Sequence, residues 1–263
     1  MIIDRYEKPS SIKEAYELLI STPKSVVIGG GAYVRLGIRH IDLAIDMCNA
    51  GLDFIDEKKE TIEIGSTTTF RTLEKSDILK SYYSGAIYKT VKDIMGVQMR
   101  NIVTVGGTIQ GRYGFSDLIT TLLALDCSVV LHKRGEIYLE KFLKERIDHK
   151  DIIEKIIIKK DERLASFISM RNTSNDFSMI NVAVCSKNGG YNIAVGARPG
   201  VSALAKKAMT YMESSKGNEY DLIKTGEIAL NELIFKSDLR ASKEYRKELC
   251  SVLVKRGLLE VMK

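Results

Sequence analysis

The sequence predicts an α+β protein, and three observations carry that reading. Short β-branched runs alternate with stretches of helical apolar spacing, without the regular strand–helix–strand repeat of a doubly wound sheet. A polar stretch, Lys159-Lys160-Asp161-Glu162-Arg163, interrupts the pattern and marks a boundary between residues 1–160 and 161–263. Hydrophobic residues make up 44% and charged residues 28%, a balance that supports a sizeable buried core and argues against long disorder.

Taken in order, Ser11-x-x-Glu14 forms a capping box, and Ile12, Ala15, Tyr16 and Leu19 then recur at helical spacing until Pro23. Ser25 to Ile28 reads as a buried strand running into Gly29-Gly30-Gly31, and Ile41, Leu43 and Ile45 alternate as another. Thr61 to Gly65 supplies a further strand. A helix is predicted over residues 84–95, with Ile87, Val91, Ile94 and Met95 on one face and Gly96 placed as its left-handed cap. The apolar run Ile102 to Val105 again stops at paired glycines, Gly106-Gly107. A helix from Ser116-Asp117 carries Leu118, Leu122 and Leu125, and strands follow at 128–131 and 152–159. Beyond the boundary, Met179–Cys185 and Tyr191–Val195 form a hairpin turned by Asn188-Gly189-Gly190, and the remainder is helical, the last helix spanning 242–256.

Several function classes are disfavoured. No apolar run approaches the roughly 20 residues that span a bilayer, and the opening MIIDRYEKPSS lacks the apolar stretch of a signal peptide, so the expectation is a cytoplasmic protein without membrane association. The net charge of +6 is spread along the chain without a basic stripe interleaved with aromatics, which argues against nucleic-acid binding. Cys48, Cys127, Cys185 and Cys250 form no C-x-x-C pair, and His40, His132 and His149 show no metal-ligand spacing, so no metal site is expected. No nucleophile–base pair is visible, and no catalytic residue is assigned.

The two glycine segments are the informative features. Each follows a β-branched run and presents amides unobstructed by side chains, and two such segments facing each other could grip a pyrophosphate through backbone dipoles alone. Neither fits the P-loop or the dinucleotide G-x-G-x-x-G pattern, and the bland reading is a tight turn between strands.

Val27 to Val34, with Gly29-Gly30-Gly31-Ala32 at its centre, resembles the first FAD-pyrophosphate loop of the flavin (medium) subunits of molybdenum hydroxylases of the xanthine, carbon monoxide and nicotinate dehydrogenase type. Gln98 to Ile109 is similar to the second loop of that family, and Ser116-Asp117-Leu118 to its Asp-led helix. The likeness extends through Tyr6-x-x-Pro9-x-Ser11-x-x-Glu14-Ala15, Ile64 to Thr69, Asp176-Phe177-Ser178-x-x-Asn181, Val195-Gly196-Ala197-Arg198-Pro199, and the closing Ser237-Asp238-Leu239-Arg240-Ala241-Ser242-x-x-Tyr245-Arg246.

The resemblance implies a two-subdomain FAD-binding domain of the PCMH type over 1–160, split near 53–60, followed by a smaller α+β C-terminal domain over 161–263. It implies diphosphate contacts from Ile28, Gly29, Gly30, Gly31 and Ala32 and from Thr104, Val105, Gly106, Gly107 and Thr108. Asp117 would hold the ribityl or ring end of the flavin, and Ile94 and Ile153 would pack against the isoalloxazine; taken as isolated residues, these are a helix-start acid and two core side chains. The flavin carries the chemistry in such a subunit, with 2Fe-2S clusters in a small partner subunit, molybdopterin in a large one, and NAD or another acceptor receiving the electrons. Ala32, Thr108 and Ile168 stand where many members have polar side chains, so side-chain support for FAD is reduced. Two alternatives are a flavin-free structural subunit of the same complex and a stand-alone flavin oxidase. Tyr113 and Phe115 either stack on the flavin or, as favoured, pack their own turn; Ser66 to Thr69 is a pocket wall or, as favoured, a turn with a helix cap.

Overall fold

The computed structural model describes residues 1–34, 37, 39–146, 150–187 and 189–262; His149 and Asn188 lie outside them. The chain forms two compact units, one of residues Met1–Leu73, Val97–Gly111 and Cys127–Lys160, the other of Glu74–Gly96, Arg112–Asp126 and Asp161–Lys263. Elements are numbered along the chain.

The first unit begins with β1 (Ile2–Glu7), α1 (Ile12–Ser21), β2 (Ser25–Ile28) and β3 (His40–Asp46), whose strands form a parallel sheet in the order β1-β3-β2. Ser11 caps α1 by accepting the Glu14 amide at 3.2 Å, while the Glu14 carboxylate reaches back to the Ser10 amide at 2.8 Å, one residue earlier than a strict capping box. Ala15 and Leu19 on the buried face of α1 pack with Leu43, Ile45 and Met47. A second sheet, in the order β4-β5-β8-β6-β7, comprises β4 (Ile55–Glu57), β5 (Thr61–Gly65), β6 (Ser128–Leu131), β7 (Gly135–Tyr138) and β8 (Ile153–Lys159). Its neighbours pair antiparallel, with Ile62, Ile64, Val129, Ile156 and Ile158 buried. Helix α2 (Phe70–Lys75) leads from this unit into the other; α5 (Val97–Arg100), α6 (Val105–Gly111) and α8 (Leu139–Lys144) also belong to the first.

The second unit contains α3 (Asp77–Ser81), α4 (Ala86–Lys92), α7 (Asp117–Ala124) and a four-stranded antiparallel sheet. That sheet runs β12-β11-β10-β9, from β9 (Ala165–Met170), β10 (Ile180–Lys187), β11 (Gly190–Gly196) and β12 (Ala203–Leu204). Helices α9 (Lys206–Ser214), α10 (Glu219–Glu232) and α11 (Lys243–Val261) follow. Val182, Val184, Ile193 and Val195 from the sheet share one core with Met212, Leu222, Leu253, Val254 and Leu258. The β10–β11 hairpin turns at Gly189, whose φ of +84° needs glycine.

The helix expected over 84–95 is shorter. Tyr83, Ser84 and Gly85 all have positive φ, and this left-handed turn cannot continue into a right-handed helix, so α4 starts at Ala86. The left-handed residue after it is Met95, with φ +47°, rather than Gly96. Gly106 and Gly107 do not form a turn between strands: they lie in the first turn of α6, and Thr104 makes only an isolated bridge with Thr69.

Candidate functional site

In the first unit, β2 ends at Ile28 and the chain enters Gly29-Gly30-Gly31. The glycines are required by what lies against them. A Cβ on Gly30 would fall 1.4 Å from the Ile102 carbonyl oxygen, and one on Gly29 would fall 2.4 Å from the Thr104 hydroxyl. Gly31 instead has φ +68°, which swings the chain away toward buried Ala32. The two glycine segments thus meet face to face, with Thr104 at the junction.

The amides of the two segments differ in what they have left to offer. In the second, Val105 N–H donates to Thr68 O at 3.0 Å, Gly106 N–H to Ser66 O at 2.7 Å, and Thr108 N–H to Thr104 O at 3.0 Å. Gly107 N–H donates to the Thr104 hydroxyl at 3.3 Å, which caps α6. Among the described residues, the amides of Gly29, Gly30 and Gly31 donate to no protein acceptor. Three successive amides are therefore free for an external anion.

Beside this junction lies a cavity of about 340 Å³, lined by Gly29, Ser66, Thr67, Gly106, Gly107 and Gln110 with apolar walls from Leu19, Val27, Met47 and Ile153. Lys150 also lines it, but its ammonium is turned to Leu19 O at 2.9 Å in the last turn of α1 and to Thr22 O at 2.6 Å and Ser25 Oγ at 3.3 Å just after it. Ser66 and Thr67 form pocket wall, while Thr69 supplies the cap, accepting the Thr72 amide at 3.1 Å. Both readings of that turn hold, for different residues.

In the second unit, Asp117 opens α7 behind the capping residue Ser116 and is buried. Its Oδ1 accepts from Ser178 Oγ at 2.7 Å and Asn181 Nδ2 at 2.5 Å, and its Oδ2 from Arg171 Nη2 at 2.7 Å. Burial pushes its carboxyl pKa up, and the Arg171 charge and these bonds work against that shift. Oδ2 keeps a lone pair for one further donor. Asn181 continues the network to Thr120, whose hydroxyl is 2.7 Å from both Asn181 Oδ1 and Ser202 Oγ. The space for this knot exists because residue 196 is glycine: a Cβ there would sit 2.2 Å from Thr120 Oγ1. Ile94, also in this unit, is half-buried just beyond α4.

Comparison with known proteins matches residues 3–160 to the FAD binding domain in molybdopterin dehydrogenase and residues 165–261 to the CO dehydrogenase flavoprotein C-terminal domain. The chain belongs to this flavoprotein family. The xanthine dehydrogenase FAD-binding subunit of Escherichia coli O157:H7 is 24% identical, over 98% of this chain and 95% of its own length. The nicotine 6-hydroxylase medium subunit of Paenarthrobacter nicotinovorans is also 24% identical, over 97% and 96%. Among solved structures, a chain of reconstituted CO dehydrogenase from Oligotropha carboxidovorans superposes with a TM-score of 0.89 at 20% identity, covering 99% of this chain and 98% of that one.

Within the flavoprotein family's C-terminal segment, the closing signature proves to be a structural clamp. Arg246 on α11 is 1% exposed and donates to Met179 O, Lys236 O and Ala241 O at 2.7, 2.7 and 2.9 Å, and to Asp238 Oδ1 at 2.6 Å. Ser242 caps α11 through the Tyr245 amide at 3.1 Å. Tyr113 stacks on Phe115 at 5.2 Å and Phe115 meets Phe177 at 4.1 Å, so these rings pack on one another. Arg171, Gln110 and Lys150 were not singled out from the sequence: each is an ordinary cationic or polar residue until tertiary contacts place it on Asp117 or the cavity.

Proposed function

We propose that the chain holds FAD by its diphosphate at the glycine junction and serves as the electron-transferring flavin subunit of a molybdenum-dependent hydroxylase. The observation that carries the reading is the row of three uncommitted amides, Gly29 to Gly31, packed against Ile102 and Thr104, with Gly29 lining the adjacent cavity. An anion there is held by backbone dipoles without a dedicated cation. The second segment, Thr104 to Thr108, shapes the cradle and adds the Thr104 hydroxyl, because most of its amides are already bonded. Ile153 supplies an apolar wall of the cavity, Ile28 and Ala32 are buried on either side of the three glycines, and the family resemblance alone assigns Asp117 and Ile94 to the flavin. In domain terms, residues 1–160 form the FAD-binding part and 161–263 the C-terminal part.

When bound, flavin supplies the redox chemistry. The residues of the chain orient it and exclude water. Electrons would enter from an iron–sulfur small subunit, fed by a molybdopterin large subunit, and leave to NAD or another acceptor in the cytoplasm. No helix among the described residues is long and apolar enough to cross a membrane.

The test is the visible spectrum of the purified protein, before and after NADH. Flavin absorption that bleaches with NADH supports the whole reading, and flavin absorption unaffected by NADH removes NAD as the acceptor. A colourless protein that cannot be reconstituted with FAD, even with both partner subunits present, sinks it in favour of a flavin-free structural subunit, the outcome that the apolar Ala32 and Ile168 would explain. Activity of the isolated chain toward its own organic substrate would point instead to a stand-alone oxidase.

A further inference from the structure

We propose that Asp4, His40 and Asp42 form a binding site for a divalent transition-metal ion, with zinc the best fit. Asp4 lies on β1, and His40 and Asp42 on β3. The parallel register pairs Ile3 with Ile41 and Arg5 with Leu43, so Asp4 and Asp42 face each other across the ladder. His40 is two residues from Asp42 and projects from the same side of the strand. One ligand atom from each residue lies within 4.8 Å of the other two, and His40 Nε2 is 2.8 Å from Asp4 Oδ1.

Two physical points favour a cation over a plain polar surface. Like charges directly opposed on neighbouring strands destabilise the pair, and a dication bound between Asp4 and Asp42 turns that repulsion into attraction. The donor set, one imidazole nitrogen and two carboxylate oxygens, matches that of open zinc sites, in which three protein ligands bind the ion and water takes the fourth position. It is too small for calcium, which needs six to eight oxygens, and magnesium binds such sites poorly because it keeps its waters.

The ligands stand on two hydrogen-bonded strands, so little rearrangement is required. Binding would clip the N-terminal strand to β3, whose other neighbour, β2, leads into Gly29 to Gly31. Zinc is thereby a stabiliser of the sheet that presents the first glycine segment, and this holds whether or not that segment binds FAD.

The experiment is calorimetric titration of the chelator-treated full-length protein with zinc chloride, alongside thermal unfolding with and without zinc. One equivalent is expected to bind, with a raised unfolding temperature, and magnesium and calcium at the same concentration should give neither effect. His40→Ala, at a half-exposed position, should fold normally and weaken zinc at least tenfold, as should Asp4→Asn. Cys48→Ser should bind zinc as the parent does. No binding, or undiminished binding in a folded His40→Ala protein, overturns the proposal.

Discussion

Replacing Gly30 by alanine is the most direct perturbation of the glycine junction. The new methyl would lie 1.4 Å from the Ile102 carbonyl oxygen and 2.5 Å from its carbon. Both are backbone atoms and cannot rotate away, so the two segments must part by well over an ångström. Overpacking of this kind costs typically about 1–3 kcal/mol, and here the upper end applies. At about 2–4 °C per kcal/mol for a protein of this size, the unfolding midpoint of the first unit should fall by roughly 6–12 °C. The parting also pulls the Gly29 to Gly31 amides out of line. Losing one hydrogen bond to a charged acceptor, worth about 1.5–3 kcal/mol, weakens FAD by roughly ten- to a hundredfold. Gly31→Ala is the matched control: its methyl meets only the Ile28 side chain at 3.4 Å, leaving the φ of +68° as the burden, about 1–2 kcal/mol. Fluorescence titration of the apoprotein with FAD and thermal unfolding by circular dichroism read both effects. A Gly30→Ala protein that melts and titrates like the parent refutes the face-to-face geometry.

The other expectations concern the second unit. Arg246→Ala leaves the carbonyls of Met179, Lys236 and Ala241 and the Asp238 carboxylate without their donor, and should lower stability by about 3–5 kcal/mol in urea unfolding, with little rescue by lysine. Ser84→Gly relieves one residue of the left-handed turn and should stabilise by up to about 1 kcal/mol after the backbone entropy of glycine is deducted; a destabilised variant would show that the Ser84 side chain matters more than its φ. Burial opposes ionisation of Asp238, but the Arg246 guanidinium and the amides of Arg240 and Ala241 outweigh it and hold its carboxyl below the usual range. Its contribution is then present above the unfolded carboxylate pKa of about 3.9 and is lost as pH falls through the lower folded value. Acid unfolding of Asp238→Asn should accordingly be shallower below pH 4 than that of the parent.

The sequence by itself determined the α+β class, the strands at 25–28, 61–65 and 128–131, the hairpin of the C-terminal segment and the family, because these depend on local periodicity and on short ordered motifs. It located both glycine segments for the same reason: a run of glycines is visible without knowing what lies opposite. What lies opposite was decided only by tertiary structure. Gly30 faces Ile102, seventy-two residues on, and the second pair of glycines opens a helix because Thr104 caps it, which a β-branched run does not announce. The roles of Arg171 and Arg246 were hidden likewise, since a guanidinium is identified as a buried clamp only by the acceptors that long-range packing brings to it. The grouping of Asp4 with His40 and Asp42 depends on β1–β3 register, which no spacing along the chain records. At the glycine junction, sequence supplied donors on both sides; the hydrogen bonds made on folding left the first segment as the one still able to receive an anion.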